Sequence, residues 1–88
     1  MSDASTALAF PCDFPIKIMG KTQAGFAQAI VEVVQRRAPG FDAATLEMRS
    51  SREGRYISLT CTVHVTSRHQ LDELYRELCD HPMVTMVL

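Results

Sequence analysis

The side chains best suited to chemistry in this chain are three histidines, His64, His69 and His81, and three cysteines, Cys12, Cys61 and Cys79. Imidazole and thiolate ligate zinc, and a thiol or hydroxyl beside an oriented base attacks carbonyls. The spacing favours neither use. No two histidines stand at i, i+4 on a helix, the cysteines have no C-x-x-C arrangement, and no Ser-His-Asp or Cys-His pattern stands out. Cys61 falls in an apolar row and Cys79 near the apolar side of a helix, where thiols pack as small hydrophobes. No catalytic residue, metal or cofactor is expected.

A second kind of chemistry is anion or effector binding at Met19-Gly20-Lys21-Thr22, between a predicted strand and a predicted helix. Glycine lets backbone approach a ligand, and a helix start offers N–H groups with partial positive charge. Gly20, Lys21 and Thr22 are therefore candidate ligand-binding residues. The plainer reading is that Gly20 turns the chain and Thr22 caps the helix.

The elements that must position these residues follow from periodicity. From Tyr56 to Val65, the apolar Ile57, Leu59, Cys61, Val63 and Val65 alternate with polar residues, giving a strand with one buried and one wet face. Phe14, Ile16 and Ile18 alternate with Pro15, Lys17 and Met19 in a first strand predicted to end at Gly20. Thr22 then caps a helix over 23–37, whose face is Phe26, Ile30, Val33 and Val34 and which Ala38-Pro39-Gly40 stops. A second strand is predicted over 44–50 and a polar hairpin over 51–55. Ser67, with Gln70 three residues later, makes a capping box for a second helix striped by Leu71, Leu74, Tyr75 and Leu78. His81-Pro82 breaks that helix, and 83–88 reads as a last strand.

The order β-α-β-β-α-β predicts an α+β, ferredoxin-like fold: a four-stranded antiparallel sheet with two helices on one face. Residues 1–10 read as a flexible tail and 11–88 as a single domain. The predicted core is Ile16, Ile18, Phe26, Ile30, Val33, Leu46, Met48, Ile57, Leu59, Cys61, Val63, Leu71, Leu74, Leu78, Val84 and Met86. The same parity places Lys17, Arg49, Tyr56, Thr60, Thr62, Met83 and Val87 on the uncovered face, as a candidate partner surface. The last strand is apolar on both faces yet falls at a sheet edge, where strands are normally blunted. It is expected either to pair with a second copy or partner chain, or to lie under Leu8 and Phe10 of the tail.

Nine basic and ten acidic residues give a net charge of −1, so no global field attracts nucleic acid or an anionic membrane. Arg49, Arg52 and Arg55, with Arg36 and Arg37, form at most a local patch. Readers of single-stranded RNA stack bases on sheet aromatics, and here only Tyr56 is aromatic on that face. No stretch approaches the roughly 18 apolar residues of a membrane span. An odd cysteine count and a start without basic or long apolar character point to the cytoplasm. The function expected is a non-catalytic regulatory or adaptor domain, a homodimer or the partner of another protein, with a small effector at Gly20. The alternative is an interaction module without a ligand, acting through the open sheet face or edge strand; nucleic acid ranks last.

Four blocks carry a family likeness: Phe14-Pro15-Ile16-Lys17-Ile18-Met19-Gly20, the helix end running from Val31 to Gly40, Ser50 to Tyr56, and Met83 to Leu88. From about Phe10 onward, the chain resembles the YbeD family of small, largely uncharacterised bacterial proteins. The resemblance implies a ferredoxin-like fold similar to ACT-type regulatory domains, a cytoplasmic setting and no established enzymatic activity. ACT-type domains bind small effectors near the position of Gly20, usually at a dimer interface. Genes of the family commonly lie beside lipoate-synthesis genes, which implies a link to that pathway.

Overall fold

In the computed structural model, residues 9–88 are described, and they run β1 (Cys12–Lys21), α1 (Phe26–Arg37), β2 (Glu47–Ser50), β3 (Tyr56–Val65), α2 (Arg68–Asp80) and β4 (Met86–Val87). The strands make one antiparallel sheet in the order β2-β3-β1-β4, the ferredoxin-like arrangement. β1 and β3 pair along their whole length, from Cys12 opposite Val65 to Lys21 opposite Tyr56. Opposed residues share a face, so Ile16, Ile18, Leu59, Cys61 and Val63 all turn inward and have no exposed surface. Phe26, Ile30, Val33 and Val34 of α1 and Leu71, Leu74 and Leu78 of α2 complete one core on that side. Both helical stripes are as predicted.

Capping chemistry sets the helix ends. Ser67 opens α2 by accepting the Gln70 N–H at 3.1 Å, as its type and position predict. The Gln70 side-chain Oε1 accepts the Thr66 N–H at 2.8 Å, one residue outside the reciprocal bond of a capping box. The Gln70 amide donates to the Arg37 carbonyl at 2.9 Å, which ties the start of α2 to the end of α1. α1 begins later than predicted. Thr22 is exposed and its N–H donates to Arg55 O at 2.8 Å, while the N-cap is Gly25 at φ 83°, a left-handed conformation that glycine adopts without strain.

Gly20 corrects a second expectation. It does not end β1 but lies within it, buried and opposite Ile57. A Cβ there would strike the Met83 carbonyl oxygen and come within 2.5 Å of the Phe26 ring. Glycine is needed here for close packing, not for turning the chain.

The edge strands are shorter than predicted. Residues 43–45 form a 3-10 turn in which the Asp42 carboxylate accepts the Ala44 N–H at 2.9 Å, leaving β2 only residues 47–50. Met48 shares its face with buried Leu59 but sits at the sheet edge and is 56% exposed, so it is not core. Leu46, Ile57 and Val84 are half-buried at the core margin, while Val34, Ala38, Phe41 and Val65 are buried beyond the predicted set.

Between α2 and β4 the chain turns, with Val84 N–H on His81 O at 3.0 Å and Met83 N–H on His81 Nδ1 at 3.1 Å. Pairing to β1 starts with Thr85 N–H on Met19 O at 2.7 Å, and Val87 comes opposite Ile18. This register inverts the predicted parity: Val87 packs on the core, and Met86, opposite Met19, is 50% exposed. Lys17 exchanges two backbone bonds with Leu88, at 3.2 and 2.8 Å, so Lys17 and Met19 aim their backbone groups towards β4. By the period of two, Pro15 aims the same way, at a place where no strand flanks it among the described residues. Of the expected tail, residues 1–8, Leu8 included, lie outside the described residues, and Phe10 is half-buried against the core.

Candidate functional site

No element among the described residues covers the second face of the sheet, and the register orders its side chains into rows. One row runs Arg49, Ser58, Met19, Met86, and the next runs Glu47, Thr60, Lys17. Tyr56 stands opposite Lys21 beyond the first row, and Thr62 opposite Pro15 beyond the second. Strands lie about 4.8 Å apart, so the row from Arg49 to Met86 spans roughly 14 Å. At the far end His64 Nδ1 lies 3.0 Å from Asp13 Oδ1, both side chains well exposed.

Of the predicted partner residues, Lys17, Arg49, Tyr56, Thr60 and Thr62 are brought together here. Met83 and Val87 are not: both pack against the core, because the turn after His81 shifts the register of β4 by one residue. Met86 takes the place expected for Val87. Composition could not reveal this, since 83–88 is apolar at both parities; the His81-Pro82 turn was the available signal.

Two shallow depressions mark the Met19–Arg49 end of the face. One, of about 170 Å³, is lined by Met19, Arg49, Ser51, Tyr56 and Ser58 among others. The other, of about 580 Å³, is lined by Lys17, Glu47, Arg49, Ser58 and Thr60. Arg49 and Ser58 belong to both, so the two are adjacent.

Charge is distributed unevenly between the sheet and the helices. Arg37 pairs with Glu77 at 2.7 Å and Glu73 at 3.7 Å, Arg76 with Glu73 at 2.9 Å, Arg68 with Asp72 at 3.8 Å, and Arg36 with Glu77. On the sheet and its hairpin, Arg55 has Glu53 at 3.4 Å, while Lys17, Lys21, Arg49 and Arg52 have no ion pair among the described residues. Glu47 is the one carboxylate within the central rows.

Lys21 and His64 apart, the other candidates stand off this face. Gly20 points into the core and its vacant side is filled by Phe26 and Met83, so no ligand reaches it; Lys21 and Thr22 are exposed beside it. Among the described residues, no group of three or more His, Cys, Asp or Glu side chains is placed to hold a metal. His81 accepts a backbone bond in the turn before β4, a structural task. Burial pushes the Cys61 thiol up to about 11, which keeps it protonated and unreactive at neutral pH. Burial, then the nearby Cys79, raises the Tyr75 phenol, whose hydroxyl donates to Leu88 O at 3.3 Å. No helix is long and apolar enough to cross a membrane among the described residues.

Comparison with known proteins bears out the likeness seen in the sequence. A family described as "Protein of unknown function (DUF493)" matches residues 5–88. A UPF0250 protein of Nitrosomonas europaea is 65% identical over 79 residues, covering 90% of this chain and 91% of the relative. One from Bordetella pertussis is 58% identical, covering 90% and 87%. Among solved structures, protein HP0495 from H. pylori superposes with a TM-score of 0.73 at 17% identity, covering 92% of this chain and 85% of that one. The ACT domain from GTP pyrophosphokinase of Chlorobium tepidum gives 0.59 at 21%, covering 88% and 97%. At these identities the structures show the fold, which is ACT-like.

Proposed function

This chain belongs to the DUF493 family, and we propose that it is a small, non-catalytic regulatory or adaptor domain acting through contact with another protein chain. The observation that carries the reading is the division of polarity. Every buried side chain among the described residues is apolar, and a whole sheet face is left to solvent. Catalysis relies on titratable or donor groups held in a water-shielded site; here such groups lie at the surface, and the buried thiol is held protonated. ACT-like folds are usually regulatory, which agrees with this.

Co-purification of the tagged chain from its native cells, then reconstitution with the purified partner, tests the proposal. A complex of fixed stoichiometry, or a dimer in light scattering, is the expected result. A chain that recovers no stoichiometric partner and stays monomeric at high concentration ends the reading. The finer form, in which a small effector acts at Lys21 and Thr22 and the pathway is that of lipoate, is tested by thermal shift with amino acids and lipoate-pathway metabolites. A ligand bound only by the native state stabilises it by about 2.7 kcal/mol at a hundred times its Kd; no shift removes this form and leaves the adaptor.

A further inference from the structure

We infer that the Met19–Arg49 end of the bare sheet face docks an acidic protein segment carrying a large apolar side chain. The inference rests on the adaptor reading and adds the chemistry of the partner. Three features of the same few rows combine. Met86 is 50% exposed and Tyr56 40% exposed; Met86 stands directly opposite Met19, and Tyr56 is its diagonal neighbour. Isolated apolar residues on a surface are ordinary, but Met19 and Tyr56 line one depression of about 170 Å³, and Met86 stands beside Met19. Thioethers adapt to varied apolar shapes, and an aromatic ring gives a rigid wall.

Cations surround this spot. Lys21 lies opposite Tyr56, Arg49 at one end of the Met19 row and Lys17 in the row beside it, none of them ion-paired among the described residues. An occupant with its apolar anchor between Met19 and Tyr56 would bring flanking carboxylates over Arg49 and Lys17, in the adjoining polar depression. Charge complementarity of this kind steers encounter and fixes register. Two other occupants fit less well. Nucleic acid would set phosphates against Glu47 and find only Tyr56 on which to stack a base. A second copy would bring its helices with Asp72, Glu73 and Glu77 already paired to arginines of their own chain, leaving Glu32 and Asp80, one on each helix, as the helix carboxylates without an ion pair among the described residues.

The experiment is an amide NMR titration of the full chain with a short synthetic peptide of leucine, glutamate and serine, beside a version with glutamine for glutamate and an oligothymidylate of similar length. The amides of Met19, Arg49, Tyr56 and Ser58 are expected to shift on adding the acidic peptide. Arg49→Glu, at an exposed site, is expected to keep the spectrum of a folded chain and to weaken binding about tenfold or more. Absence of shifts, shifts confined to other elements, equal binding of the glutamine peptide, or tighter binding of the oligonucleotide would each overturn the inference. A native complex that survives Arg49→Glu unweakened overturns this site and leaves the adaptor reading standing. Loss of the adaptor reading shows itself separately, as the lack of any stoichiometric native partner.

Discussion

The two faces of the sheet are made from the same strands, residue by residue in alternation, and they follow opposite rules. On the covered face Ile16, Ile18, Leu59, Cys61 and Val63 have no exposed surface, and the arginines of the helices above them are all ion-paired. On the bare face the neighbours of those residues, Lys17, Thr62 and His64, remain exposed, and Lys17, Lys21 and Arg49 have no ion pairs among the described residues. Stability is thus concentrated on one side. The other side contributes little to holding the fold, which leaves its composition open to recognition.

The strongest test of that contrast is truncation on each side. Leu74, fully buried on α2, should lower the unfolding free energy by about 2–5 kcal/mol when changed to alanine. Thr62→Ala, on the bare face, should change it by no more than about 0.5 kcal/mol. Urea melts read both values, and equal effects would break the contrast. Next in size is Gly20→Ala. Its Cβ meets a backbone carbonyl and the Phe26 ring, so overpacking should cost about 1–3 kcal/mol. A neutral result would show that Phe26 has room to retreat.

Alkaline titration sharpens the contrast without altering packing. The Cys61 thiol is raised from 9.0 to about 11 by burial, so the folded chain keeps a proton that the unfolded chain releases. The contribution is therefore intact below the unfolded value and is lost as pH climbs through the interval to the folded one, by at most roughly 1.4 kcal/mol per pH unit. Melts of the parent and of Cys61→Ala across that interval should diverge in slope; parallel curves would show that the thiol is not insulated. The smallest effect separates the two sets of charges. Arg37→Ala removes pairs with Glu77 and Glu73 and should cost about 0.2–1 kcal/mol, lessened by salt, whereas Arg49→Ala should be close to neutral in the same melts.

Much of this arrangement is written in local pattern. The alternation of β3 fixed which side of the sheet was wet, and the stripes of Phe26, Ile30, Val33 and Val34 and of Leu71, Leu74 and Leu78 placed both helices on the other. What local pattern does not hold is long-range fit. Gly20 reads as a turn because glycine ordinarily turns chains, and its partner in the fold, Phe26, is identified only once the strand and helix meet. Phe41 lies in a loop with no period to mark it, yet it is buried. Gly25, not Thr22, caps the helix, and Thr22 instead prolongs the β1–β3 ladder through its N–H on Arg55 O. In β4 a two-sided apolar run leaves parity undetermined, and the bond from Thr85 to Met19 decides it.

Pro15, finally, bears on how copies of this chain behave when crowded. Beside β4 no strand flanks β1 among the described residues, and a foreign strand sliding along it would find at Pro15 an acceptor with no matching donor. Copy-upon-copy growth of ribbons is disfavoured on that flank, since each added strand would lose one ladder bond. The missing donor makes that flank a poor template for a fibre.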